Sequence, residues 1–314
     1  MSLTLKQLRY FAALAEAGSF GTAAARVHVT QPALSLQIKE LEERLGVKLV
    51  ERLPRQLRLT RAGQEVLERT RRILAEVDDL EQAVRWQQGL KGRLNLGVIP
   101  TVAPYLLPLA LTRIRSHDLT LELRVREAQT DTLLEELRRG RLDAAVVALP
   151  VPGPGLVARP IATDRFLLAG SRARLASWAE RTEALRPRAL APDQLLLLDE
   201  GHCLAEQALE VCGLSGRRQV DLGASSLSTL VGLVAEGFGL TLLPEMSVVT
   251  ESAAAPNLSL LRFSAPEPAR ELALVRRESS SDSGWMDDLA RLLTEAADAL
   301  LVQARRIVPE AAAA

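Results

Sequence analysis

Val66, Thr70, Ile73, Val77, Leu80 and Val84 follow one another at spacings of four, three, four, three and four residues. That alternation is the apolar seam of a coiled coil. It predicts one long helix from Thr60 to about Gln88, with Glu65, Arg69, Arg72, Glu76 and Asp79 beside the seam. Such a helix either lies along its own domain or pairs with a second chain, and a seam unbroken by Gly or Pro favours pairing. In both cases it divides the 314-residue chain into a short head and a long body, with Gln88-Gly89-Leu90-Lys91-Gly92 as a hinge.

Charge separates the two parts. Up to Arg61 the head carries ten basic residues against five acids (Glu16, Glu40, Glu42, Glu43 and Glu51), or +5, so the remainder of this net-neutral chain carries −5. A basic head on an acidic body points to nucleic acid at one end. The hydrophobic fraction of 47% supports sizeable cores and argues against disorder. No apolar run approaches the roughly 20 residues of a membrane span, and Met1 to Arg9 lacks the apolar stretch of a signal peptide. A cytoplasmic protein is the expectation.

Leu5, Leu8, Phe11, Leu14 and Ala15 recur at helical spacing, predicting a helix over 4–17 that Gly18 stops. Ser19 can cap a second helix over 20–27, and Thr30 a third, with Pro32 in its first turn and Gly46 at its end. Two helices joined by a tight turn make a helix-turn-helix. Val47 to Thr60 reads as a β-wing with Pro54-Arg55 at its tip. In such units the second helix enters the major groove. Gln31, Ser35, Gln37 and Lys39, with Pro32 fixing the turn, are the candidates there, while Arg52, Arg55 and Arg61 could reach phosphates or the minor groove. The plainer alternative is a solvated polar face on an ordinary helix pair.

After the hinge, strands alternate with helices. Strands are expected over 93–99, 119–127 and 143–149, with helices over 103–116 and 130–139 between them. This is an α/β pattern with a largely parallel sheet. Leu195 to Asp199, the helices after Cys203 and Ser226, and Gly239 to Leu243 form a second unit; the chain returns near Glu271 to Arg276 and closes with a helix over 284–305. Ligands of open α/β sheets sit beyond the carboxyl ends of strands. Thr101, Thr130 and the pair His202-Cys203 each follow such an end. An ordinary role for either threonine is an N-cap, which does not exclude ligand contact.

The only two cysteines, Cys203 and Cys212, stand nine residues apart. In one helix that separation is about 13.5 Å of rise and roughly half a turn of net rotation, which places them on opposite faces. A disulfide needs Cα atoms within roughly 4.4–6.8 Å. The pair can be bridged only if the helix unwinds. Buried thiols also serve as small core hydrophobes, and Cys212, beside Val211 and Leu214, suits that role. Cys203 follows Gly201-His202 in what should be a first helical turn, a setting that favours a reactive thiolate.

Gln7-Leu8-Arg9-Tyr10-Phe11, Gly18-Ser19-Phe20, Ala23-Ala24, Thr30-Gln31-Pro32-Ala33-Leu34-Ser35, Leu45-Gly46-Val47 and Leu59-Thr60-Arg61-Ala62-Gly63 together resemble the winged helix-turn-helix of the LysR-type transcriptional regulators. The body is similar to the hydrogen-peroxide-sensing members of that family, through Gly97 to Pro108, Glu127 to Thr130, Gly201-His202-Cys203-Leu204, Gln207 to Cys212, Ser226 to Leu230 and Gly239 to Pro244. It departs at Ala103, where glycine is expected, and at Ala205, where a basic residue is common.

The resemblance implies a DNA-binding head over 1–63, a dimerising linker helix over 64–90 and a two-lobed, periplasmic-binding-protein-like effector domain over 91–306. One lobe would hold 91–163 and 267–306, the other 164–266, before a tail over 307–314. It further implies Cys203 as the peroxide-reactive thiol, Cys212 as the resolving one, Thr101, Thr130 and His202 shaping the pocket, and Arg270 helping to hold the thiolate. Implied partners are double-stranded promoter DNA, hydrogen peroxide, a cellular thiol reductant and RNA polymerase, in a dimer of dimers with no cofactor and no metal. Two other classes stay open: a LysR-type regulator of a small metabolite with structural cysteines, and a thiol peroxidase, for which a DNA-binding head has no use.

Gln31→Ala should relax base discrimination by about 1–3 kcal/mol, the worth of a good bidentate base contact. Arg55→Ala should weaken binding to all sequences alike and flatten the salt slope. Titrations on specific and random duplexes at several salt concentrations read both; equal losses on both duplexes for Gln31→Ala would remove it from the base readers.

Overall fold

A computed structural model describes residues 3–53, 56–85, 93–117, 121–179, 185–199, 201–213, 224–280, 282 and 284–310. The expectations for Pro54, Arg55, the hinge over 88–92, Leu214 and the last four residues of the tail lie outside them.

The head opens with α1 (Leu5–Ala17), held by a capping box between Thr4 and Gln7 and stopped at Gly18 in the left-handed region. Helix α2 (Phe20–Arg26) begins where Ser19 accepts the Thr22 amide. Helix α3 (Gln31–Leu45) has Thr30 at its N-cap, but no side-chain cap bond forms there; Pro32 in the first turn and Gly46 past the end set its limits. Strands β1 (Val50–Leu53) and β2 (Gln56–Leu59) pair antiparallel as the wing. Leu8, Phe11, Leu14, Ala23, Leu34, Ile38, Leu41 and Leu49 bury one core beneath them.

Glu42 joins α3 to the wing. Its carboxylate accepts the Leu49 and Val50 amides at 2.9 and 3.2 Å and Lys48 Nζ at 2.7 Å. Burial alone would raise this carboxyl; the Lys48 bond and the two amides outweigh it and hold the group below its ordinary range. Helix α4 (Arg61–Arg85) follows, starting one residue later than the periodicity predicts; the expected end near Gln88 lies outside the described residues. On its seam Ile73 is 43% and Leu80 67% exposed.

The body follows as β3 (Arg93–Val98), α5 (Ala103–His117), β4 (Glu122–Glu127), α6 (Thr130–Arg138), β5 (Ala144–Ala148), β6 (Leu156–Ser171), α7 (Arg172–Ala179), α8 (Cys203–Cys212), α9 (Leu227–Ala235), β7 (Thr241–Pro244), α10 (Val248–Ala254), β8 (Leu258–Arg262), β9 (Ala269–Arg277) and α11 (Trp285–Ile307). The strand order is β4-β3-β5-β9-β6-β7, with β8 also on β6. Among the named strands of the described residues, β3–β4 and β3–β5 pair parallel, while β5–β9, β6–β9, β6–β7 and β6–β8 are antiparallel. The sheet is therefore mixed, which corrects the expectation of a largely parallel one.

Much of the difference comes from β6, over which the sequence reading assigns no element, and the rest from β9, which returns antiparallel to β5. Pro160 and a bulge between Pro160 and Ala162 break the alternation of β6. Its first part, up to Arg165, pairs with β9; from Phe166 onward it pairs with β7 and β8. The strand expected over Leu195–Asp199 is reduced to isolated parallel bridges, Leu195 to Leu240 and Leu198 to Ala224, although Leu195 to Leu198 are all buried. Helix α11 buries Trp285, Met286, Leu289, Leu293 and Ala297 along one face. No helix among the described residues is long and apolar enough to cross a membrane.

Gly63, in the first turn of α4, sits hard against the wing: an added Cβ would lie 2.0 Å from the Leu49 carbonyl oxygen. Gly63→Ala should lower the stability of the head by about 1–3 kcal/mol, as overpacking does. Gly21→Ala, where the nearest atom is the Gln31 Oε1 at 3.8 Å, is the tolerated control. Thermal melting of the two variants beside the parent tests the contrast.

Candidate functional site

The turn after β3, the start of α6 and the start of α8 converge on one small pocket, lined by Ile99, Pro100, Thr101, Gln129, Thr130, Gly201, His202 and Cys203. Each element delivers at least one reactive or polar group. Cys203 is the first residue of α8, and buried His202 occupies its N-cap. Gly201, at φ +92°, lets the chain turn sharply into the helix, and a Cβ there would meet the Gln129 amide at 2.8 Å. The Thr130 hydroxyl is buried with no hydrogen-bond partner among the described residues. It is thus not spent on capping, the ordinary role for a threonine at this place. As it stands, the pocket has no room for a water molecule.

Arg270 stands behind Thr101. Its Nη1 donates to Thr101 Oγ1 at 2.9 Å and its Nη2 to the Thr101 carbonyl oxygen at 3.2 Å. Nε and Nη2 donate to Asp164 Oδ2 at 3.0 and 2.9 Å. The other Asp164 oxygen accepts the Met246 amide at 3.0 Å. Burial pushes the Asp164 carboxyl up, and the Arg270 guanidinium pulls against it. Among the described residues Arg270 makes no bond to Cys203; it reaches the pocket through Thr101.

Cys212 closes α8 at the far end, 2% exposed and packed in the body's core, and the helix stops at Gly213 in the left-handed region. The two thiols are free. Ten residues of regular helix keep them about 13.5 Å apart along the axis.

In the head, Gln31, Pro32 and Lys39 are exposed at or along α3, and Ser35 and Gln37 are half-buried on it. Gln37 donates to Glu40 at 3.0 Å, and Lys39 pairs with Glu43 at 3.5 Å. Arg61 is exposed at the first position of α4. Arg52 lies in β1, its side chain outside the described residues, as all of Arg55 is.

Sequence reasoning passes over two of these groups. Gln129 is signalled only by its place beside Thr130. Asp164 carries no local signal, being 106 residues from Arg270.

Residues 5–64 match the family described as bacterial regulatory helix-turn-helix protein, lysR family, and residues 87–298 match the LysR substrate binding domain. A relative from Streptomyces viridosporus named "Probable hydrogen peroxide-inducible genes activator" is 43% identical over 93% of this chain and 94% of its own length. The Escherichia coli protein named "DNA-binding transcriptional dual regulator OxyR" is 37% identical over 93% and 95%. Among solved structures, a full-length OxyR variant from Pseudomonas aeruginosa matches with a TM-score of 0.74 at 31% identity, covering 93% of this chain and 98% of its own. A hydrogen peroxide-bound OxyR mutant from Corynebacterium glutamicum matches with a TM-score of 0.66 at 33% identity, covering 99% and 98%. The relatives are transcriptional regulators, not enzymes.

Burial pushes the Cys212 thiol up from 9.0 to about 11. A folded-state value above the unfolded one means the native helix is favoured below pH ~9 and loses that advantage as pH rises toward about 11. Alkylation of reduced native protein should therefore label Cys203 first and reach Cys212 only above pH ~9. Mass mapping of the two thiols across pH 7–11 checks it; equal labelling at neutral pH would contradict the buried position.

Proposed function

The chain belongs to the LysR family of bacterial transcriptional regulators, and we propose that within it this protein is a peroxide-responsive gene regulator switched by a reversible Cys203–Cys212 disulfide. One observation carries the reading: Cys203 and Thr130, whose hydroxyl is unpartnered among the described residues, line the same small pocket. A buried polar group without a partner costs about 1–3 kcal/mol. A small ligand with both donors and acceptors, such as hydrogen peroxide, relieves that cost after a slight opening.

The Cys203 thiolate attacks one peroxide oxygen. The S–O bond forms, the O–O bond breaks, and the departing oxygen leaves as hydroxide, so sulfur is oxidised to the sulfenic acid and peroxide is reduced. Condensation with the Cys212 thiol forms the S–S bond and releases water. This second step requires α8 to unwind, because its regular geometry keeps the sulfurs apart. A cellular thiol reductant returns both groups to thiols.

The exposed Ile73 and Leu80 on the α4 seam support pairing of two chains. A dimer presents two α3 helices to a two-fold site on promoter DNA. Refolding at α8 then alters how dimers associate, and with it the spacing of four heads and their approach to RNA polymerase. A metabolite effector is the second reading. The pocket, which must already open slightly to admit peroxide, would have to open much further to admit a metabolite.

Cys203→Ser should abolish the response to peroxide, and Cys212→Ser should let Cys203 accumulate as sulfenic or higher acid. Thr130→Val should slow oxidation in stopped-flow while leaving DNA binding of the reduced protein intact, because misplacing a reactant alone costs up to roughly 10²-fold in rate. A parent rate no faster than that of a free thiolate, unchanged in Thr130→Val, would sink the assignment.

A further inference from the structure

Asp164 lies outside the pocket, yet its geometry reaches into it. It is wholly buried on β6, directly across the ladder from Arg270 on β9. One of its oxygens takes two Arg270 donors, and the other is fixed by the Met246 backbone amide. The guanidinium can neither rotate nor retreat. Its remaining donors therefore fall on both oxygens of Thr101, side chain and main chain. An arginine only donates, while a threonine hydroxyl has one proton to give and lone pairs to receive. With Arg270 donating to Thr101 Oγ1, the Thr101 proton must point elsewhere, and Thr101 lines the pocket.

We propose that Asp164 is a positioning residue of the peroxide reaction: it locks Arg270 so that Thr101 becomes an obligatory hydrogen-bond donor into the pocket. The inference rests on the peroxide reading above. As the Cys203 sulfur bonds to one peroxide oxygen and the O–O bond breaks, negative charge grows on the departing oxygen. A donor already aimed there stabilises the transition state more than the ground state. Thr130, whose hydroxyl has no fixed partner, is free to accept from the peroxide. The pocket then holds one donor of set direction and one adaptable group.

The test is Asp164→Asn in the full chain, which keeps the shape and removes the charge. Two rates are read on reduced protein: oxidation of Cys203 by hydrogen peroxide in stopped-flow, and alkylation of Cys203 by iodoacetamide. The expected result is a fall of roughly tenfold or more in the peroxide rate, with alkylation and DNA binding of the reduced protein unchanged. In a Thr101→Val background the same substitution should add nothing, since its effect runs through Thr101. Parallel losses in both rates, or a full additional loss in Thr101→Val, would overturn the proposal and leave Asp164 a structural residue.

Should Asp164→Asn fail to fold, the double change Asp164→Leu with Arg270→Met replaces the buried ion pair by apolar side chains, a swap that proteins tolerate. It should show the same peroxide-selective loss, and a parental peroxide rate would refute the idea. Failure of the peroxide reading itself looks different: the parent would then react no faster than a free thiolate.

Discussion

The rise of an α-helix keeps Cys203 and Cys212 apart, and the proposed chemistry depends on that separation. While α8 is regular, a sulfenic acid at its first residue has no thiol within reach. The native fold thus stores two compatible reactants at a distance that forbids their reaction. Cys212 does more than wait: it is part of the core, so drawing it out exposes apolar surface and empties its place. The Gly213 cap marks the natural end of the segment that must unwind.

The second constraint is the ion pair behind the pocket. Two fully buried charges are expensive to desolvate and do not on balance stabilise a fold over apolar packing of the same shape. Arg270 and Asp164 offset that cost with three bonds to Thr101 and Met246 in addition to their own. What such a pair supplies is direction. It joins the turn after β3 to the middle of β6 and the start of β9 and so fixes one wall of the pocket relative to the sheet. The other walls come from α6 and α8 and carry the groups with fewer restraints.

Much of this was legible in the sequence where the signal is local. Helix limits in the head are written in Thr4, Gly18, Ser19 and Gly46, each of which acts within one turn of its own position. Thr30 shows the limit of that logic: the residue type predicts the cap position, while the bond it should make is absent. The pocket residues Thr101, Thr130, His202 and Cys203 were readable because each follows a recognisable strand or opens a helix. Asp164 and β6 were not. Their meaning depends on partners more than a hundred residues away, and Pro160 with its bulge breaks the period that marks a strand. The mixed sheet follows from β6 and β8, both unread, and from β9, which returns antiparallel to β5.

Strand β6 has a mechanical consequence. It runs for 16 residues without a break in the chain, first beside β9 and then beside β7 and β8. A loop between two halves of a domain acts as a hinge, but a shared strand acts as an axle: bending it means breaking ladder bonds. If α8 unwinds as proposed, the distortion that begins there cannot be absorbed by the two halves swinging freely about this line. In the proposed dimer it would travel outward to the surface, where the second chain can feel it.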